Sequence, residues 1–253
     1  GCSACIGTPA FLLCRPFADL RGRRWQKALM LLGLGYMGSL PIWVGDPNLL
    51  YALPVFLAAF LLCTRGDLAG RLAVGVILFC LIMSLSALID NYAAEVLWGG
   101  VTSDVFALLL RAMVLTGIWL ALKKRLPEQP VNLSHRLWRL VLGLAAMPLC
   151  SLAAVVLLSG GGEHSPQVDR LALSLGLAVL PVALVTSVLL LFSITVLAEH
   201  ETLEQARRLA SLREVYYQSL RARESQVRQL RHDLRNHLSV LGGLLEQQRW
   251  AEA

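Results

Sequence analysis

Residues 171–197 read LALSLGLAVLPVALVTSVLLLFSITVL, and residues 198–215 read AEHETLEQARRLASLREV. The first stretch has no Asp, Glu, Lys or Arg, whereas the second is dense in Glu, Arg and Gln. About 20 mostly apolar residues suffice for a helix to cross a bilayer, so 171–197 reads as a membrane-spanning helix. The junction after Leu197 then separates a membrane domain, 1–197, from a polar arm.

Working back from this span, five more apolar runs are found: Ala28–Val44, Leu49–Cys63, Leu72–Ile89, Val105–Leu122 and Leu140–Leu158. They are continuous rather than alternating with period two, which excludes a β-barrel. The expected fold is all-α: a polytopic helical bundle of six intact spans followed by a long cytoplasmic helix. The first two runs are short and flank Asp46-Pro47-Asn48, so one re-entrant hairpin is the alternative to two full spans. The chain opens on Gly1, and no charged stretch precedes Ala4–Leu13. That opening reads as the remainder of a seventh, truncated span rather than a signal peptide.

Composition agrees with this division. Of the 253 residues 56% are hydrophobic, with a mean hydropathy of +0.61, against about 45–50% apolar in soluble domains. The net charge of +6 does not indicate nucleic acid, because its cations lie at the ends of the apolar runs and the arm carries nine Arg against eight acids. Arg21, Arg23, Arg24 and Lys27 precede the first run. Arg65 and Arg71 follow the second, and Lys123, Lys124, Arg125, Arg136 and Arg139 follow the fourth. The alternate loops hold a single cation, Arg170, among several acids. The positive-inside rule therefore expects a multi-pass membrane protein with its C-terminal arm in the cytoplasm.

Few residues inside the spans bear chemistry. Arg111 is the one cation well within a run, where it needs a polar partner or cavity. It can meet an acidic group of a ligand, pair with Asp90 or Asp104, or extend to the interface. Cys2, Cys5, Cys14, Cys63, Cys80 and Cys150 read as small hydrophobes. The lone Cys2-x-x-Cys5 lacks the second pair or the His that zinc would require, so no metal site is expected. Pro148 and Pro181 are tolerated within spans because neighbouring helices can take up the freed carbonyls.

The arm has no Pro and, up to Leu245, has Gly only at 242–243, so it is expected to form one long helix. Leu220, Val227, Leu234 and Leu241 fall at position a of a heptad repeat, and Arg223, Leu230, His237 and Leu244 at position d. Near Leu212 the pattern slips, as in a stutter. A seam of this kind implies a partner helix, most simply that of a second copy in a homodimer. In this register His232 lies at f, the outermost face, and His237 lies in the seam. Asp233 adjoins His232, and Asn236 follows one turn later on the same face. A carboxylate holding one ring N–H leaves the other nitrogen free to attack, as a phosphoryl-accepting histidine requires.

The segment Arg231-His232-Asp233-Leu234-Arg235-Asn236-His237-Leu238, followed by Gly243-Leu244-Leu245, resembles the H-D-x-x-N-H-L box of Agr-type sensor histidine kinases. These belong to the GHKL class and have a sporulation-phosphotransferase-type dimerisation helix. The resemblance implies that 198–227 is a coiled-coil linker and 228–253 the first helix of a dimerisation and phosphotransfer hairpin, turning near Arg249–Ala253. It assigns phosphorylation to His232, with Asp233 and Asn236 beside it. It also implies a GHKL-type domain beyond residue 253 that holds ATP and magnesium, none being bound by these residues. The chain would then be a fragment that carries the phosphoacceptor without the kinase. The expected partners are a second copy, a response regulator, membrane lipid and an extracellular ligand. A peptide is the first candidate for that ligand, bound near Asp90, Tyr92, Glu95, Trp98 and Asp104; an amphiphile is the other. A transporter with an oligomerisation stalk, or a membrane adaptor, would leave the box around His232 unexplained.

Overall fold

A computed structural model describes residues 2–20, 23–42, 48–93, 104–124, 131, 133–159 and 166–246. In chain order the elements are α1 (Cys2–Cys14), β1 (Asp19–Leu20), α2 (Arg24–Ser39), α3 (Asn48–Cys63), β2 (Thr64–Arg65) and α4 (Leu68–Leu88). A π-helical turn (Ile89–Ala93), α5 (Asp104–Lys123), α6 (His135–Ser159) and α7 (Pro166–Glu246) complete them. The chain divides into two compact units, Gly1–Glu199 and His200–Ala253.

The first unit is a helical bundle arranged around α4. Every residue from Ala73 to Ala87 is buried, as expected for a helix that is apolar on all sides. The α2, α3 and α6 helices pack against it, and α1 packs against α2 and α5. At the α1–α2 contact a Cβ on Gly7 would lie 2.7 Å from the Leu31 carbonyl oxygen and 3.1 Å from the Gly35 Cα. Only glycine admits so close a backbone approach, the usual device for packing helices where no water drives them together. Large apolar side chains point outward around the bundle, among them Leu32, Val55, Met113, Leu144, Met147 and Leu189, all more than half exposed. Such a girdle is tolerable in lipid and costly in water.

Among the described residues four helical stretches are long and apolar enough to cross a membrane: Leu68–Ala93, Val105–Lys123, His135–Val155 and one within Leu173–Gly243. The α2 and α3 helices have 16 residues each, about 24 Å at 1.5 Å per residue against a hydrocarbon core of about 30 Å. The first expected run also shifts. Helix α2 spans Arg24–Ser39 instead of Ala28–Val44, and the cause lies at its end. Pro41 has no N–H to continue the ladder and disfavours helical geometry at Leu40, which is extended (ψ 127°).

Both short helices have C-terminal carbonyls satisfied by side chains, as a helix end in a low-dielectric setting requires. At the end of α3, Thr64 Oγ1 donates to the Phe60 carbonyl at 2.7 Å and Gln26 Nε2 to that of Leu62 at 3.2 Å. Arg71 bonds the Leu61 carbonyl and, at 3.1 Å, Thr64 Oγ1. A feature absent from the sequence reading holds this end, a two-residue antiparallel ladder pairing Asp19 with Arg65 and Leu20 with Thr64.

The second unit is helical through Glu246, as the lack of Pro led one to expect, and the helix passes Leu212 and Gly242–Gly243 without a break. From Thr202 to Gly242 every residue is exposed, and the turns are braced by pairs such as Glu204–Arg208 (3.5 Å) and Glu214–Gln218 (3.2 Å). Pairs of this type contribute only about 0.2–0.5 kcal/mol each, too little to hold an uncovered helix of this length in water. The apolar stripe through Leu220, Val227, Leu230 and Leu234, each about half exposed or more, therefore calls for a cover. The turn expected at Arg249–Ala253 lies outside the described residues.

Candidate functional site

The helical backbone of the second unit brings His232, Asp233 and Asn236 together, as their spacing predicts. The His232 ring is 72% exposed, open to a large reaction partner. Its Nδ1 lies 3.5 Å from Asp233 Oδ1 and 3.2 Å from Asn236 Nδ2. Both contacts engage Nδ1, so Nε2 has no partner among the described residues. An adjacent carboxylate favours the tautomer with the proton on Nδ1. For Asn236 to support that tautomer its amide must present oxygen to the ring; presenting nitrogen would place the proton on Nε2 and block attack there. The amide of Asn236 thus selects which ring nitrogen can act.

His237 is exposed and makes no polar contact among the described residues. The two histidines therefore differ in their neighbours rather than their exposure, because the seam residues of an uncovered helix are exposed as well. Register separates them only once a second helix covers the seam.

A second polar cluster lies inside the first unit, around Arg111. The Arg111 side chain is 3% exposed and forms an ion pair with Asp90, itself 7% exposed. Of the alternatives the sequence left open, pairing with Asp90 is the one observed, and extension to the interface does not occur. Arg111 also donates to the carbonyls of Gly38 (2.8 Å) and Leu40 (3.0 Å). Asp90 Oδ2 accepts from the Ile42 N–H at 2.7 Å, and Asn91 Nδ2 donates to the Ile42 and Ala87 carbonyls at 2.9 and 2.7 Å. The π-helical turn carries Asp90 and Asn91, so both reach Ile42; turns of this kind often mark functional positions. Together these groups form a clamp that fastens the end of α2 to α4 and α5. Its distances leave the Asp90 carboxylate committed to Arg111 and Ile42. Of the other residues expected to meet a ligand, Tyr92 donates its hydroxyl to the Leu173 carbonyl at 2.6 Å. Glu95, Trp98 and the side chain of Asp104 lie outside the described residues.

Two further groupings were not foreseen. Asp67, just before α4, lies 2.9 Å from the His135 Nδ1 that opens α6. Between α2 and α3 there is a cavity of about 600 Å³, floored by Met37, Phe56 and Met83 and bordered by Tyr36 and Tyr51. Pattern reading misses a hollow of this kind because its lining is apolar on both helices. Among the described residues no cluster of three His, Cys, Asp or Glu side chains is arranged to hold a metal; the Cys2 and Cys5 side chains are not among them. Comparison with protein-family models, with curated proteins and with solved structures finds no match.

Proposed function

We propose that the chain is the sensor and phosphoacceptor portion of a membrane histidine kinase of the Agr-type, GHKL class, phosphorylated on His232. The observation that carries the proposal is the exposed imidazole with the Asp233 carboxylate and the Asn236 amide both beside Nδ1; with that amide turned to present its oxygen, Nδ1 carries the proton and Nε2 is left to attack. The carboxylate would hold the ring and stabilise the positive charge that develops as Nε2 attacks the γ-phosphorus of ATP, the bond to the β,γ-bridging oxygen breaking and ADP leaving. Magnesium ATP would be supplied by a domain of the kind the resemblance places after residue 253. The phosphoryl group would then pass to an aspartate of a response regulator docking on this face.

The rest of the reading follows from distribution. The six apolar runs act as six crossings, with α2 and α3 short enough to require local thinning of the bilayer. The basic connections and the arm then lie in the cytoplasm of a bacterial cell, and the arm pairs with that of a second copy. A signal from outside, a peptide or an amphiphile, would act on the bundle.

The test fuses a GHKL ATP-binding domain after residue 253 and follows phosphoryl transfer from labelled ATP. The expected label on the parent protein is stable to base and labile to acid, as phosphohistidine is. His232→Gln should abolish it while leaving the dimer intact, and His237→Gln should weaken the dimer more than the labelling. Persistent labelling of His232→Gln together with loss in His237→Gln would overturn both the register and the assignment.

A further inference from the structure

The cavity between α2 and α3 is bounded by two 16-residue helices and backed by α4. Its floor is interior, since Met37, Phe56 and Met83 are 6%, 5% and 1% exposed. Its rim is open, with Tyr36 63% and Tyr51 73% exposed. Along α3 the lining runs from Leu49 to Ala59, about 15 Å at 1.5 Å per residue, or half of a hydrocarbon core of about 30 Å.

The hollow is built into the sequence rather than left by loose packing. Where α2 meets α1, a Cβ added to Gly7 or Gly38 would collide with its neighbours, whereas one on Gly33, in the cavity wall, would meet nothing within 4 Å. Small residues normally draw membrane helices together, yet Gly33 borders open space here, with Ala52 and Ala59 also in the lining. No charged side chain lines the cavity among the described residues. Among the described residues its only side-chain hydrogen-bonding groups are the two phenols, toward the ends of α2 and α3 that the chain connects, and tyrosines favour the level of lipid headgroups. The wall also includes Leu40 and Ile42, whose backbone groups are held by Arg111 and Asp90. The cavity is thus as long as about half a hydrocarbon core, apolar along its floor and, among the described residues, uncharged, with two phenols at its mouth.

We propose that this cavity binds a single-chain amphiphile with an uncharged head, its tail lying against Met83 and its head hydrogen-bonded to Tyr36 and Tyr51. The volume is within the range of small-ligand sites, about 300–1,000 Å³, and such sites are mostly apolar with a few placed polar groups. The inference needs only the membrane character of the first unit and stands or falls independently of any chemistry at His232.

The test places the full chain in phosphatidylcholine nanodiscs with a monoacylglycerol whose acyl chain carries a diazirine, and maps photo-adducts by mass spectrometry. Adducts should concentrate on residues such as Met37, Ala52 and Val55 and be displaced by excess unlabelled monoacylglycerol. Gly33→Phe, which fills the hollow, should lose the displaceable fraction. Ala59→Phe should do the same from the opposite wall, which guards against a folding defect in the first variant. Gly117→Phe, at another open glycine position away from the cavity, should leave labelling unchanged. Adducts spread over the outer girdle without saturation would overturn the proposal. So would cavity labelling by a diazirine phosphatidylcholine that monoacylglycerol fails to displace, since a bulk lipid would then be the occupant. Labelling that falls as the protein-to-disc ratio rises would assign the cavity to a second copy and would overturn it equally.

Discussion

At the scale of single residues, Arg111 bears the largest electrostatic burden in the membrane unit. An arginine at 3% exposure is tolerable only because Asp90 neutralises it and the carbonyls of Gly38 and Leu40 accept its protons. Removing one partner leaves a buried unpaired charge, which costs about 3–5 kcal/mol, whereas replacing both with apolar groups of similar volume is far milder. Arg111→Met and Asp90→Leu should therefore each lower the unfolding midpoint in detergent sharply. The double variant should recover much of the loss, with the end of α2 still orphaned. Simple additivity of the two changes would mean that no coupled pair exists. The sequence made Arg111 legible as an anomaly and offered Asp90 among its partners, but it did not single Asp90 out, because Asp90 reaches Arg111 from the π-helical turn at Ile89–Ala93. Hydrophobic periodicity carries no sign of such a turn. Asp233 and Asn236, by contrast, are neighbours of His232 by helical spacing alone, so their place beside the imidazole could be read without a fold, whereas the ring nitrogen they meet, Nδ1, could not.

At the scale of elements, the two kinds of helix end were unequally visible. Pro41 explains why α2 stops early, yet the capping of α3 by Gln26, Thr64 and Arg71 combines residues from three segments and leaves no local pattern. The arm was the most legible element, since the long helix that its propensity leads one to expect is the one observed. Its cover is the open quantity at this scale. If Leu230 and Leu234 line the seam, Leu230→Asp combined with Leu234→Asp places unpaired charge in a buried interface and should dissociate the dimer. Sedimentation of a segment covering residues 198–253 would show the mass halved while circular dichroism fell, because the released helix is too long to persist uncovered. A doubly substituted segment that keeps the dimeric mass would show that some other stripe forms the seam.

At the scale of the whole molecule, the continuity of α7 from Pro166 to Glu246 ties an apolar stretch within Leu173–Leu197 to the residue proposed to be phosphorylated. In the proposed function a signal at the bundle must reach His232 through this one element, and a helix transmits rotation or translation only while its phase is kept. Each added residue turns everything downstream by about 100°. Four residues inserted after Arg213 thus shift the phase of the seam by about 40°, and three shift it by about 60° in the opposite sense. The helix would survive either insertion, since its propensity is high throughout. What changes is the angle between the stripe on the membrane side of the insertion and the stripe around Leu230. If two discrete packings of the arm form the two-state element that a signal biases, each insertion should lock one packing. With a GHKL ATP-binding domain fused after residue 253, the proposed function expects one insertion to give high phosphorylation of His232 and the other low, both indifferent to the signal. A graded, normal response in both would mean that the arm bends or slides rather than turning as a unit, and the signal would have to take a path other than α7.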